Sequence, residues 1–170
     1  AEMLLRAHDR GLEVHAWLNA YPAWLGTTPP PADVRPQPLY HEFNALYGDW
    51  WVQWRQATPP VPMTLNANYL CACPAHPAVA DRILAVSQDL LARYPLDGLH
   101  FDYIRYDDRP YSYDPASLIA YANMAAKTPG LTYADWQRSH VTALLQRVRD
   151  EALPLRARAR LSAAVWPIYK

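Results

Sequence analysis

One stretch, Leu96–Tyr106 (LDGLHFDYIRY), places the tightest constraint on what this chain can fold into. It opens on Asp-Gly, which is a turn signal, and continues as an apolar and aromatic run, which predicts a β-strand. Because side chains alternate between the two faces of a strand, His100 and Asp102 share one face and the apolar Leu99 and Phe101 share the other. A histidine and a carboxylate therefore lie near the end of the strand, where α/β folds place their chemistry.

Two further segments are predicted to be buried strands. Residues 12–19 (LEVHAWLN) repeat the arrangement, because His15, Trp17 and Asn19 share one face and the apolar even-numbered residues share the other. Residues 161–166 (LSAAVW) form the third predicted strand. Polar residues are thus gathered on one face of the predicted strands.

Helices are predicted before and between these strands. They are residues 1–10, a helix beginning at Pro77, one capped by Asp114, and one from Thr132 to about Leu153. Strands joined through helices run parallel. Strands that are polar on one face favour a barrel over a doubly wound sheet. The predicted fold class is α/β, a partial (β/α)8 TIM barrel with parallel strands alternating with helices. We expect 1–170 to be a single domain, incomplete at both ends, because a full barrel needs about 250 residues.

Residues 20–70 break this pattern with proline-rich segments such as Pro29–Pro31, which make long helices and central strands unfavourable there. A short helix is predicted through Tyr40–Tyr47, and a short strand or turn through Asp49–Trp54. Long irregular insertions in compact domains are more often functional than idle. We interpret this region as a loop over the site, with a self-packed lid as the alternative.

The composition limits the classes of partner. Lys plus Arg and Asp plus Glu both total 16, so we expect no nucleic-acid partner. The spacing of Cys71 and Cys73 suits neither a disulfide nor a zinc site, and we expect no metal or other cofactor. No apolar run is long enough for a transmembrane segment, and the first residues do not form a signal peptide. The chain starts without Met inside a predicted helix and ends just past an apolar run, so we expect it to be part of a longer protein.

Four segments of the chain resemble the glycosyl-hydrolase-like 10 family of bacterial TIM-barrel proteins. They are Gly11–Asn19, Ala75–Val79, Asp97–Tyr106 and Asp135–Trp136. The resemblance runs through nearly the whole chain in order. It implies a glycoside hydrolase barrel acting on a cell-envelope polysaccharide, a peptidoglycan-type glycan above all. It also implies an extracytoplasmic parent, whether periplasmic, secreted or a lipoprotein.

Glycoside hydrolysis commonly uses two carboxylates across the scissile bond. Asp102, at the end of its strand and between His100 and Arg105 in the sequence, fits the catalytic carboxylate that stays ionised. The alternative is a structural carboxylate bonded to Arg105 or to a neighbouring strand. The second carboxylate is left open, and the candidates are Glu42, Asp49, Asp107, Asp108 or a residue beyond Lys170.

Aromatic and polar residues near the strand ends are candidates for substrate binding. They are Trp17, Asn19, Tyr21, His100, Tyr103, Arg105, Tyr106 and Trp166. For His15 and Trp17 the favoured alternative is a packed barrel interior. Tryptophans of the 20–70 region are candidate sugar platforms, namely Trp24, Trp50, Trp51 and Trp54.

Two other functions stay open at this point. A carbohydrate-binding barrel without turnover would lack the second carboxylate. A metal-dependent polysaccharide deacetylase would need convergent ligands such as His15, His100 and Asp102. An incomplete barrel would also expose strand edges and apolar helix faces, so we expect that the chain can self-associate.

Overall fold

The computed structural model describes residues 2–108 and 111–165 of the chain, which form two compact units. The described residues of unit 1 are 2–20, 80–104 and 141–165, and those of unit 2 are 21–79, 105–108 and 111–140. The helices are α1 (Glu2–His8), α2 (Leu39–Tyr47), α3 (Pro77–Arg93), α4 (Pro115–Ala125) and α5 (Tyr133–Arg147). The strands are β1 (His15–Asn19), β2 (Pro22–Gly26), β3 (Trp54–Arg55), β4 (Val61–Pro62), β5 (Asn66–Cys71), β6 (Gly98–Asp102) and β7 (Arg160–Ala163).

Unit 1 is built on a three-stranded parallel sheet in the order β1-β6-β7. One face of β6 is fully buried, since Leu99 and Phe101 have no exposed surface. His100 and Asp102 alternate with them and are half-buried. The predicted α/β class with parallel strands is therefore confirmed, and the alternation in Leu96–Tyr106 is the physical reason for it.

Asp97 connects neighbouring elements at the amino end of this sheet. Its Oδ2 accepts a hydrogen bond from the Val14 backbone N–H at 2.7 Å and lies 2.8 Å from His8 Nε2. These two contacts hold the pKa of the Asp97 carboxyl below its usual range, because both favour the charged form. Asp97 is thus a structural carboxylate that ties α1 and β1 to the start of β6.

Gly98 makes room for a neighbouring ring where β1 and β6 pair. A Cβ atom placed on Gly98 would lie 2.5 Å from the Arg160 carbonyl oxygen and 2.6 Å from His15 Nδ1. Contacts this short between non-bonded atoms force the backbone or the ring to move. Glycine at this position therefore lets the His15 side chain lie across β6.

The substitution Gly98→Ala is expected to destabilise the protein by about 1–3 kcal/mol, because the added methyl group would overlap the Arg160 carbonyl and the His15 ring. Urea unfolding measures the change. In the double mutant His15→Ala/Gly98→Ala, the contact with the His15 ring disappears while the contact with Arg160 remains. The double mutant should therefore lose less stability than the sum of the losses in the two single mutants. An unchanged stability of Gly98→Ala would contradict this packing.

Unit 2 contains a two-stranded antiparallel sheet of β2 and β5 and a short ribbon of β3 and β4. The helix predicted at Tyr40–Tyr47 is confirmed as α2. The short strand or turn predicted through Asp49–Trp54 is a turn that leads into β3 at Trp54, whereas β2, β4 and β5 were not predicted. Proline does not exclude them, because Pro22 opens its strand and Pro62 lies in a two-stranded ribbon, where a missing N–H is tolerated. The region 20–70 thus carries regular structure, and the single domain expected over 1–170 stays a prediction.

The core of unit 2 is centred on Trp51, which has no exposed surface. Its ring centroid lies 5.6 Å from that of Phe43 and 6.5 Å from that of Tyr40. Its indole Nε1–H donates to Asn44 Oδ1 at 2.7 Å. Trp51 is therefore a core residue, and its assignment as an exposed sugar platform was wrong.

The buried side chain of Gln53 connects separate segments of unit 2. Its Nε2 donates to the Ala72 carbonyl at 3.1 Å, and its Oε1 accepts from the Asp107 backbone N–H at 3.0 Å. These bonds satisfy the side-chain amide of a fully buried residue. They also fix the position of the backbone at Asp107.

The long helices follow the predicted start signals. Asp114 caps α4 by accepting the Ser117 N–H at 2.8 Å, and Thr132 Oγ1 accepts the Asp135 N–H at 3.1 Å before α5. Beyond α5, the helical path continues as a π-helix over Val148–Ala152 and a 3-10 turn over Leu153–Leu155. Within the described residues, no helix is long and apolar enough to cross a membrane.

Candidate active site at the carboxyl ends of the parallel strands

The polar face of the unit 1 sheet carries two rows of side chains. In the first row, Trp17, His100 and Ser162 stand opposite one another on β1, β6 and β7. In the second row, nearer the carboxyl ends, Asn19 stands opposite Asp102. The strand register thus brings together four of the predicted site residues, namely Trp17, Asn19, His100 and Asp102.

The first row is held by direct contacts. The ring centroids of Trp17 and His100 lie 4.5 Å apart, and His100 Nδ1 lies 2.9 Å from Ser162 Oγ. Trp17 is 65% exposed among the described residues, and its packing inside a barrel stays a prediction. It projects from a face that the described part of unit 1 leaves open. Its indole is therefore available for stacking against a ligand.

The second row ends the sheet in a sharp turn. Asp102 Oδ1 accepts the backbone N–H of Tyr103 at 2.7 Å, and the Asp102 carbonyl accepts the Ala20 N–H at 2.9 Å. Tyr103 has a φ of 48°, in the left-handed region that non-glycine residues seldom adopt. Such residues concentrate at functional sites. The turn holds the Asp102 carboxylate at the carboxyl edge of β6.

His15 lies at the other end of the same face. Its Nε2 is 3.4 Å from Glu13 Oε2, which also accepts a hydrogen bond from Arg160 at 3.2 Å. This places His15 with the residues at the amino ends of the strands rather than beside Asp102. Among residues 2–108 and 111–165, no group of three His, Cys, Asp or Glu side chains could hold a metal ion.

Three other predicted binding residues, Tyr21, Arg105 and Tyr106, belong to unit 2. Tyr21 is 1% exposed and its hydroxyl has no hydrogen-bond partner within the described residues, as is also true of the Tyr106 hydroxyl. Burial raises the pKa of both phenols, so both stay neutral. Tyr21 therefore packs in the core, which contradicts its assignment to substrate binding.

The two thiols of unit 2 are buried, and burial raises the pKa of each. Burial and the nearby Asp107 carboxylate raise the pKa of Cys71 to about 12, while Arg105 opposes the shift. Burial and Asp114 likewise raise the pKa of Cys73 to about 12. Because the thiolate is the nucleophile and the metal ligand, neither cysteine is poised for such chemistry near neutral pH.

Ser162 is the residue of this site that the sequence analysis did not single out. Its place between the apolar Leu161 and Ala163 puts it on the polar face of β7, so alternation alone could have found it. Trp166, predicted to bind substrate from the third strand, lies outside the described residues. Tyr103 lies in the turn after β6, not in the strand that Leu96–Tyr106 predicted.

Known proteins resemble this chain over nearly its full length. A protein named glycosyl hydrolase DigH from Escherichia coli O6:H1 (strain CFT073) is 27% identical over 172 residues, which cover 96% of this chain and 35% of the relative. The DigH proteins of Escherichia coli K12 and Shigella flexneri are 29% identical over 151 residues, which cover 86% of this chain and 30% of each relative. The chain therefore spans about a third of the length of these curated relatives.

A family model adds a match that does not depend on any single relative. The model of the family described as glycosyl hydrolase-like 10 matches residues 1–163. That range includes all three strands of the parallel sheet and the side chains of both polar rows. The chain therefore belongs to the glycosyl hydrolase-like 10 family.

Proposed function

We propose that the protein is a glycoside hydrolase that cleaves glycosidic bonds in a bacterial cell-envelope polysaccharide, with a peptidoglycan-type glycan as its substrate. The observation that carries the proposal is the pairing of Asn19 with Asp102 at the carboxyl ends of parallel strands, next to the row of Trp17, His100 and Ser162. Membership of a glycosyl hydrolase-like family and the similarity to DigH proteins support it. An extracytoplasmic location is part of the same proposal.

The fold proposed for the whole protein is a (β/α)8 TIM barrel, of which this chain forms a part. A parallel sheet with helices in its connections and polar side chains on one face supports it, because the inner face of a barrel meets its active site at the carboxyl ends of the strands. In this proposal the face that carries Trp17 and His100 is the inner one. Self-association of the chain through its open sheet stays a prediction.

In the proposed mechanism, Asp102 is the carboxylate that stays ionised, as nucleophile, base or stabiliser of the oxocarbenium-like transition state. The hydrogen bond from the Tyr103 N–H holds one carboxylate oxygen, and Asn19 offers an amide to a sugar hydroxyl beside it. Trp17 provides an apolar surface for a sugar ring.

The second carboxylate stays open in this proposal. Within unit 1, Asp97 and Glu13 are already engaged at the amino end of the sheet. Asp107, one of the candidates from the sequence, belongs to unit 2, where Gln53 holds its backbone and the Cys71 thiol lies 3.9 Å from its Oδ1. The separation between the two carboxylates decides between retention and inversion.

Binding without turnover is the second candidate function. The exposed Trp17 ring in contact with His100 favours it, because an open aromatic surface serves sugar binding whether or not a bond is cleaved.

Incubation of the full-length parent protein with purified peptidoglycan glycan strands distinguishes these functions. We expect soluble saccharides with new reducing ends, measured by reducing-end labelling and mass spectrometry, and none from starch treated in the same way. Sedimentation of the protein with the glycan, without any new reducing end, would establish the binding function and overturn the proposed hydrolase.

A further inference from the structure

We propose that unit 2 contains a separate binding site for a single neutral sugar ring, in the cavity between α4, the first half of α5 and the start of α3. The cavity has a volume of about 380 Å³ and is lined by described residues of unit 2. That volume is near the lower end for small-molecule sites, so it suits one sugar residue rather than a long chain. The proposed catalytic residue, Asp102, belongs to unit 1 and does not line this cavity.

Helix spacing creates the space. On α4 the small residues Ala116 and Ala120 are four positions apart and therefore share one face, and both line the cavity. On α5 the same spacing places Trp136 and His140 on one face, with ring centroids 4.5 Å apart. Two alanines opposite two aromatic rings leave room that larger side chains on α4 would fill.

Two lining residues offer hydrogen bonds that the protein does not use. His76 Nδ1 and His140 Nε2 are buried atoms without a hydrogen-bond partner in the described part of the chain. Leaving a buried polar group unpaired is unfavourable, so a ligand that pairs with it gains affinity. A neutral imidazole nitrogen donates or accepts a hydrogen bond depending on the tautomer, and a hydroxyl group can pair with it in both cases. Hydroxyl groups are thus the matching ligand chemistry.

The charges around the cavity favour an uncharged ligand. Desolvation lowers the pKa of both His76 and His140, so both are neutral at neutral pH. The Asp114 carboxylate in the wall accepts hydrogen bonds from the Ser117 N–H at 2.8 Å and the Ser112 hydroxyl at 3.1 Å. The Asp114 carboxylate would repel an anionic ligand. No lysine or arginine of the described lining would offset that repulsion.

The aromatic walls complete the match to a sugar. Trp136 is 2% exposed in the depth of the wall, and Trp50, 47% exposed, forms part of the lining that solvent can reach. A sugar ring combines apolar C–H faces, which pack on indole rings, with hydroxyl groups at its edge. The choice of a sugar over another neutral hydroxylated ring rests on the proposed function.

The test is an NMR titration with N-acetylglucosamine, in which the indole N–H signals separate the two units. We expect saturable shifts at Trp50 and Trp136, which line the cavity, and no equivalent shift from glucuronate, a sugar of similar size that carries a negative charge. The substitution Ala120→Leu fills the cavity and should weaken the affinity at least about ten-fold, as should His140→Phe, which removes the ring nitrogens. The matched control Ala122→Leu, an exposed position about half a turn away on α4, should bind normally.

The outcomes separate this site from the proposed hydrolase. Shifts confined to Trp17, equal binding of glucuronate, or normal binding by Ala120→Leu would each overturn the cavity site. Binding at Trp50 and Trp136 that persists in Asp102→Asn supports a separate site. Such binding in a protein that cleaves no glycan would leave the cavity site standing and overturn the hydrolase alone.

Discussion

Replacing Asp102 with asparagine is expected to lower the rate of glycan cleavage by roughly 10²–10⁴-fold. Asparagine keeps the shape of the side chain and its contact with the Tyr103 N–H, but it cannot act as a base or stabilise a developing positive charge. The loss should appear in kcat more than in KM, because the charge matters most in the transition state. Reducing-end release from glycan strands measures it.

The matched control is Asp89→Asn. Asp89 is an exposed carboxylate on α3 that pairs with Arg93 one turn away, so the same chemical change at this position should leave cleavage unaltered. Unchanged cleavage by Asp102→Asn would give Asp102 a structural role and end the mechanism proposed here. Lost cleavage with retained glycan binding would identify Asp102 as a catalytic carboxylate.

Replacing Trp51 with alanine is expected to lower the free energy of unfolding by about 3–5 kcal/mol. The change removes a fully buried indole from between Phe43 and Tyr40 and leaves Asn44 without its donor. Cavities left by large aromatic residues seldom collapse completely, which explains the size of the loss. Urea unfolding, followed by circular dichroism, measures it.

Two control variants separate the contributions at this position. Trp51→Phe keeps an aromatic ring but loses the hydrogen bond to Asn44, so its loss of stability should be smaller. Trp50→Ala changes the neighbouring tryptophan, which is 47% exposed, and should cost much less than Trp51→Ala. Equal losses for Trp50→Ala and Trp51→Ala would contradict the core position of Trp51.

The parallel sheet could be predicted because its signal is local. Alternation over Leu96–Tyr106 gave both the strand and the faces of its side chains, and helix start signals at Pro77 and Asp114 were sufficient for α3 and α4. The β2–β5 pairing could not be predicted in this way. It is antiparallel, with register shifts, between segments that show no clear alternation.

The candidate site was partly predictable for the same reason. Asn19 and Asp102 end strands of the same polarity, so their meeting follows from parallel pairing. The exposure of Trp17 and the burial of Tyr21 depend on what covers each residue in three dimensions, which alternation does not report. The unit 2 cavity draws on several separate segments, and no motif marks it.

The strand order β1-β6-β7 also bears on how the chain reaches its folded state. The Val14–Asp97 contact that aligns β1 with β6 joins residues 83 apart in the sequence, and the His100–Ser162 contact joins residues 62 apart. Closing a flexible loop of that length costs roughly 4 kcal/mol beyond a constant. The paired strands β2 and β5 and the elements between them lie inside the longer loop, so ordering them early shortens the chain still to be closed. The sheet that carries Asp102 is therefore expected to assemble late, after the segment between its first two strands has folded.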